Sequence, residues 1–303
     1  MTTMVTGGLG FLGQALVERL RERGEKVVDY NRREGHSTDP DHVFVQGELL
    51  DLGRLQSAIG THGVERIIHT AAMSHPGYSQ AMPYTTVLSN IVGTTTVLEA
   101  TRLCSVKHFV NLSSEAAYGP QPDPGPLRED ALPVPGDIYG ATKVSTEHLT
   151  RLYGRFYGLT TISLRVGWIY GPRQKMQCYL RELLRAAIDS KPWHTAQGRD
   201  QRFHYVWVYD VADACILAAN KDAPAHDVYN VTGDEEHTYQ QVGDMVKELF
   251  PDADFRFGPG DWDLYQQPRF DISRARTDLG FEPTKPLRQR IPEYADWLRV
   301  NQY

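Results

Sequence analysis

Tyr139 and Lys143 stand four residues apart in the run Tyr139-Gly140-Ala141-Thr142-Lys143, and on a helix positions i and i+4 share one face. A phenol with an ammonium beside it can move a proton. The positive charge favours the phenolate and is expected to pull the hydroxyl below its ordinary pKa of about 10. A tyrosine tuned this way can exchange the proton of an alcohol near neutral pH. A second run, Gly7-Gly8-Leu9-Gly10-Phe11-Leu12-Gly13, follows the strand-like Thr3-Met4-Val5-Thr6. Small residues there let the backbone approach a pyrophosphate, which would rest on the amide-rich end of the helix beginning near Gly10 and Phe11. A dinucleotide beside a proton-moving tyrosine implies that a hydride moves with the proton.

The elements that must position these groups follow from hydrophobic patterning. Strands are predicted at residues 2–6, 26–30, 43–46, 66–69, 107–112 and 160–165. Helices are predicted at 11–23, stopped by Gly24, and around 84–103 and 138–157. This alternation implies an α/β chain with a doubly wound parallel sheet, whose ligands bind beyond the carboxyl ends of the strands. After about Gly167 the rhythm loosens, and prolines from Pro172 to Pro286 punctuate shorter elements. Residues 1–166 are therefore expected to form the dinucleotide-binding domain. Residues 167–303 are expected to be mainly a smaller substrate-binding lobe, with about 203–220 returning to the main body.

Composition narrows the function classes. The 303 residues are 41% hydrophobic and 23% charged, with a net charge of −6 and the signs interspersed. No dense basic run suggests a nucleic-acid face, and no apolar run approaches the ~20 residues that span a bilayer. The chain enters a strand at once, which leaves no room for a signal peptide. Cys104, Cys178 and Cys215 are scattered and odd in number, so they read as reduced thiols of a cytoplasmic protein rather than a disulfide framework or metal site.

The glycine spacing is G-x-x-G-x-x-G. Together with Tyr-x-x-x-Lys, Ile68-His69-Thr70-Ala71-Ala72, Asn90-Ile91-Val92-Gly93-Thr94, Leu112-Ser113-Ser114, Asp210-Val211-Ala212-Asp213-Ala214 and Asp278-Leu279-Gly280-Phe281, it resembles the extended short-chain dehydrogenase/reductase family of the NAD-dependent epimerase/dehydratase type. The resemblance covers nearly the whole chain and implies a Rossmann-type fold. It also implies a cofactor cradle of Gly7, Gly10, Phe11, Leu12, Gly13, Thr70, Ala71, Ala72, Asn90 and Val166, with Glu48 and Leu49 flanking the adenine. The family's ribose-reading acid falls here on Asn31, with Arg32 and Arg33 next. Asn does not repel a 2′-phosphate and a flanking Arg could pair with it, so NADP is slightly favoured over NAD. Asp29, two residues earlier, keeps NAD open, and the arginines could simply be solvated.

The resemblance makes Tyr139 the acid/base, Lys143 its modulator and ligand of the nicotinamide ribose, and Ser114 the residue orienting the substrate oxygen. Dehydratases of the family follow the catalytic Thr with two acids. Here Glu115 is followed by Ala116, and one carboxylate cannot serve as acid and base at once, so dehydration of the usual kind is disfavoured. Glu115 is then a contact to a substrate hydroxyl, an auxiliary base, or a polar loop residue.

At the substrate end, Trp168 occupies a position where nucleotide-sugar enzymes carry an Asn. An indole accepts no hydrogen bond and offers a broad apolar face: it could stack on a sugar, block a diphosphate, or pack in the core. Arg202 and Arg269 lie near positions where relatives grip a diphosphate, Arg269 being the better match, and either could instead form a structural ion pair. His75 follows the fourth strand and is read as a hydrogen-bonding partner of a substrate hydroxyl, not as a metal ligand. Three readings result: a dehydrogenase or reductase acting on a sugar, sugar acid or polyol; a nucleotide-sugar epimerase using transient oxidation; and a non-catalytic dinucleotide sensor, disfavoured by the intact Tyr139 and Lys143. The helices around 84–103 and 138–157 are candidates for a homodimer interface.

Overall fold

Seven parallel strands form the platform of the site. The computed structural model describes residues 1–74, 76–121, 125–262 and 268–301. In chain order the first half comprises β1 (Thr2–Thr6), α1 (Phe11–Glu22), β2 (Lys26–Asn31), β3 (His42–Gln46), α2 (Leu52–His62), β4 (Arg66–His69), α3 (Pro76–Ala81), α4 (Pro83–Val87), α5 (Gly93–Leu103), β5 (His108–Ser114) and α6 (Ile138–Tyr157). The second half comprises β6 (Thr160–Val166), β7 (Trp168–Tyr170), α7 (Tyr179–Ile188), β8 (Trp193–Thr195), β9 (Arg202–Phe203), β10 (Tyr205–Trp207), α8 (Val208–Ala219), β11 (Val228–Val231), β12 (His237–Thr238), α9 (Tyr239–Leu249), β13 (Phe255–Phe257) and α10 (Leu287–Val300).

The sheet order is β11-β6-β5-β4-β1-β2-β3. The direction of winding reverses between β1 and β4, so the crevice for a ligand opens beyond their carboxyl ends. The strands are buried on both faces and therefore read as apolar runs. One face packs Val5, Val27, Val110, Ile162 and Leu164 against α1 and α8. The other packs Met4, Val28, Ile67 and Phe109 with residues of α2 and α5.

Local chemistry sets the helix ends. Asp51 caps α2 by accepting the Arg54 N–H at 2.8 Å, and Gly63 at φ 61° ends it. Asp137 caps α6 by accepting the Gly140 N–H at 2.7 Å, and Gly158 at φ 70° ends it. The long helix predicted around 84–103 is instead α4 and α5 joined by a π-helical turn, Leu88–Val92. That turn carries the buried Asn90, whose side chain accepts the Met73 N–H at 2.8 Å and donates to the Met73 carbonyl and to Thr142 Oγ1, each at 3.1 Å. The widened turn lets one amide tie the segment after β4 to α6.

Beyond residue 166 the chain crosses between two cores. Phe203, Tyr205, Trp207, Leu183, Leu184, Tyr239, Val246, Ile291 and Tyr294 form an aromatic-rich cluster among α7, α9 and α10. α8 returns to cover the main sheet beside α1, β11 extends that sheet next to β6, and Ile272, Leu279 and Phe281 join the same main core. No helix among the described residues is long and apolar enough to cross a membrane.

Candidate active site

The glycine stretch leaves β1 at the switch point. Gly7 has φ 80°, and a Cβ there would stand 3.0 Å from Ala71, the residue leaving β4. A Cβ on Gly13 would stand 2.2 Å from the Gly7 carbonyl. These positions require glycine because backbone meets backbone. α1 then begins at Gly10 with no side-chain cap and no acidic residue in its first turn. Its first N–H groups and the positive end of its dipole suit a pyrophosphate, so the residues fit a dinucleotide. Thr70 reinforces the crevice by donating its hydroxyl to the Thr6 carbonyl at 2.8 Å.

At the ribose position, the Asn31 side chain accepts the Leu9 N–H at 3.3 Å and donates to Asp29. Asp29 is buried under Gly8, so close that a Cβ there would meet its carboxylate oxygen at 2.3 Å. The acid lies beneath the loop and Asn31 faces it. Arg32 and Arg33 are exposed, and among the described residues their side chains make no hydrogen bond or ion pair. Glu48 is exposed and accepts the Tyr30 hydroxyl through its carbonyl at 3.0 Å; Leu49 packs against Gly93, where a Cβ would lie 3.2 Å away.

Ser114, at the end of β5, lies beside Val166 in the sheet register. Its hydroxyl accepts the Ala116 N–H at 3.2 Å and stands near enough to the Tyr139 phenol to favour the ionised form. Lys143 is buried, donates to the Leu112 carbonyl at 2.5 Å, and sits over the Tyr139 ring at 5.5 Å from its centroid. Ser114, Tyr139 and Lys143 thus converge at the carboxyl edge of the sheet. Two packing features hold α6 there. A Cβ on Gly140 would be 2.3 Å from the Ala116 carbonyl, so the helix lies directly on the Glu115–Ala117 turn. One helical turn beyond Lys143, Glu147 makes a bidentate pair with Arg165 of β6 at 2.9 and 2.7 Å and accepts the Ser113 hydroxyl at 2.5 Å.

The electrostatics correct one expectation. Burial pushes the Tyr139 phenol up to about 12, and the nearby Ser114 hydroxyl only partly offsets this. The ammonium lies over the ring face, and removal of the phenolate from water outweighs it. Burial also brings Lys143 down to about 8, against the field of Glu147. With burial dominating, Tyr139 holds its proton at neutral pH.

The substrate side is built from distant segments. Trp168 packs edge-on to Phe203 at 5.1 Å and lies 6.0 Å from Tyr179, which stacks on Trp262 at 4.3 Å. It is a half-buried member of the lobe cluster. Arg202 pairs with Glu236. Arg269 binds Asp234 at 2.6 Å, and Arg276 reaches the same carboxylate at 2.9 Å. His75 lies outside the described residues. Two groups, His204 and Glu236, escaped the sequence reading. His204, buried between β9 and β10, places Nδ1 3.9 Å from Glu115 and Nε2 3.3 Å from Glu236. Only its neighbour Arg202 drew attention, because a lone His between aromatics carries no spacing signal. Burial pushes the Glu115 carboxyl well above its usual range. Among the described residues no group of three or more His, Cys, Asp or Glu could hold a metal ion.

The model of the "NAD dependent epimerase/dehydratase family" matches residues 3–232. The chain is similar to the UDP-glucose 4-epimerase of Mycolicibacterium smegmatis, 30% identical over 314 residues that cover 99% of each chain. Among solved structures, the UDP-glucose 4-epimerase of Thermotoga maritima with UDP-glucose matches with a TM-score of 0.89 at 26% identity, covering 99% of both chains. That of Thermus thermophilus, in complex with NAD, matches with a TM-score of 0.87 at 27% identity and the same coverage. With the sheet order, the glycine crevice and the Tyr139/Lys143 edge in place, the chain belongs to the NAD dependent epimerase/dehydratase family and is an NAD(P)-dependent enzyme of the extended short-chain dehydrogenase/reductase type.

Proposed function

We propose that the enzyme transfers a hydride at a secondary alcohol of a sugar, sugar acid or related polyol. Tyr139 acts as acid/base, Ser114 orients the reacting oxygen, and Lys143 holds the nicotinamide ribose and modulates Tyr139. The observation that carries this reading is the buried Tyr139 with Ser114 near it and the Lys143 ammonium over its ring, at the strand edge next to the glycine crevice. A nicotinamide bound there supplies the hydride acceptor or donor. With its proton held, Tyr139 donates to the oxygen of a carbonyl being reduced, and in the other direction takes that proton back. Trp168, set among aromatic rings, and Arg202 and Arg269, each already holding a carboxylate, favour a substrate without a diphosphate. Screening sugars, sugar acids and polyols for a change in nicotinamide absorbance tests this; no change with any of them counts against it.

A nucleotide-sugar epimerase is the second reading, favoured by the likeness to the Thermotoga maritima enzyme with its UDP-glucose. It requires that UDP bind, and calorimetry with UDP showing no heat argues against it. For the cofactor, exposed Arg32 beside Asn31 supports acceptance of a 2′-phosphate. Arg32→Ser is then expected to raise KM for NADP about tenfold relative to NAD, and an unchanged ratio removes the argument. The exposed apolar residues Val92 and Leu103 near and on α5, and Leu152, Phe156 and Tyr157 on α6, support a homodimer; a monomeric mass by light scattering refutes it. The three free thiols support a reducing, cytoplasmic setting.

A further inference from the structure

A cavity of about 460 Å³ opens at the amino edge of the sheet, opposite the edge that carries Ser114 and Tyr139. One wall is the face of α6 that presents Arg151, Gly154 and Arg155, three and four residues apart. The floor is the start of β6 at Thr160 and Thr161, and the far wall is the 224–227 turn before β11. None of the exposed apolar residues offered above to a second copy of the chain lines it.

The turn is pinned from below. The Ala225 N–H donates to Asp278 at 2.7 Å, and the His226 N–H donates to the Tyr229 hydroxyl at 3.0 Å, which itself donates to Asp278. Lys221 holds the same carboxylate at 2.7 Å, and the Asp227 carbonyl accepts the Ser163 N–H of β6 at 2.9 Å. On the helix side, a Cβ on Gly154 would stand 2.4 Å from Thr161 Oγ1. The bare glycine therefore makes room for that hydroxyl. Thr161 is only 8% exposed, and its hydroxyl makes no hydrogen bond among the described residues. A polar group enclosed without a partner is costly, and a ligand that pairs with it removes the cost. The charge is set by the arginines. Arg151 donates to His148 Nδ1 at 2.6 Å and stands 3.6 Å from Asp227. Arg155 lies over the Phe156 ring and pairs with no carboxylate among the described residues. Two guanidinium groups thus meet one carboxylate. The carbonyl end of α6 opposes an anion, and the Gly158 N–H takes up the Gly154 carbonyl at 3.1 Å.

We propose that this cavity is a second ligand site, which binds the phosphate monoester of a small metabolite of sugar-phosphate size. Arg155 and Arg151 hold the phosphate, whose geometry suits a guanidinium fork, and the Thr161 hydroxyl donates to it. Asp227 and His226 face the hydroxyls of the sugar. The volume falls among those of small-molecule sites, about 300–1,000 Å³, and exceeds what a bare phosphate fills. A ligand here lies at the other edge of the sheet from Tyr139, so the inference stands whichever substrate the enzyme takes.

The test titrates D-glucose 6-phosphate, D-ribose 5-phosphate and inorganic phosphate into the full chain by calorimetry, with NAD and NADP in excess to fill the cofactor crevice. The sugar phosphates are expected to bind about tenfold more tightly than inorganic phosphate. Arg155→Gln should weaken them about tenfold and Thr161→Val about fivefold, whereas Ser114→Ala and Arg269→Gln should leave them unchanged. Thr161→Val keeps the side-chain volume and Arg155 is exposed, and urea midpoints show that each variant folds. No heat with either sugar phosphate overturns the proposal, as does an affinity that neither Arg155→Gln nor Thr161→Val alters. Loss of binding in Ser114→Ala or Arg269→Gln places the ligand in the substrate site and overturns it too. Inorganic phosphate binding as tightly as the sugar phosphates has the same meaning.

Discussion

Gly140→Ala tests whether Tyr139 and Lys143 owe their placement to direct contact of α6 with the turn before it. A Cβ at residue 140 would lie 2.3 Å from the Ala116 carbonyl oxygen and 3.1 Å from Pro135 Cβ. Ordinary contact is about 3.5 Å, so helix and turn must part by about 1 Å. Helix propensity favours Ala over Gly by about 1 kcal/mol, while overpacking costs about 1–3 kcal/mol. The net loss of stability should thus be at most about 2 kcal/mol. The catalytic effect should be larger in proportion, because displacing reacting groups by about 1 Å can cost about 100-fold in rate. The assay pairs kcat/KM from nicotinamide absorbance with urea unfolding. Gly60→Ala in α2 is the control: a Cβ there meets nothing within 4 Å, so it should stabilise by up to about 1 kcal/mol and leave turnover alone. A Gly140→Ala enzyme with wild-type kcat/KM would show that the close approach does not position the pair.

Three further outcomes follow from the buried groups. Tyr139→Phe should lower kcat by about 10²–10⁴-fold, and the absorbance difference between wild type and variant should show the Tyr139 phenol ionising only above pH 10, toward its value of about 12. Glu147→Gln leaves the buried Arg165 half paired, which should cost about 3–5 kcal/mol in urea unfolding; a loss below about 1 kcal/mol would mean that the pair is not what anchors α6. Lys143 has a folded value of about 8 against an ordinary 10.5, so between these pH values the unfolded chain binds the extra proton. Its contribution therefore makes stability rise with pH across that window, by up to about 1.4 kcal/mol per pH unit. Lys143→Met should remove that rise, and parallel stability–pH curves for variant and wild type would contradict it.

What the sequence made legible was local. The spacing of Tyr139 and Lys143 is a property of one helix, and the glycine stretch is a property of one turn, so both were readable without tertiary information. The strand pattern likewise placed Arg66–His69 where β4 lies. The helix predicted over 84–103 failed at Leu88–Val92 because Asn90 must reach Met73 and Thr142 at once, a demand that periodicity does not encode. The Tyr139 pKa went the other way because an ammonium four residues off is visible in sequence, whereas removal of the phenol from water is not.

The substrate end shows the same limit from the other side. Arg202 and Arg269 were readable as cations near a ligand, but whether a guanidinium is available depends on its carboxylate, and Glu236 and Asp234 arrive from the segment after β11. That same segment supplies the partner of His204, which in turn faces Glu115 beside Ser114. A single stretch, Asp234-Glu235-Glu236, therefore occupies both cations expected to grip a substrate anion and buttresses the imidazole aimed at the catalytic edge. Replacing Glu236 should act on both sides at once: Arg202 and His204 would each lose this carboxylate. If the enzyme takes a diphosphate through Arg202, Glu236→Gln should raise the affinity for UDP by calorimetry. If the cluster instead serves to hold the buried His204, the variant should lose stability in urea unfolding and gain no affinity for UDP by calorimetry. The geometry favours the second outcome, because Glu236 contacts both the imidazole and the guanidinium and stands between them.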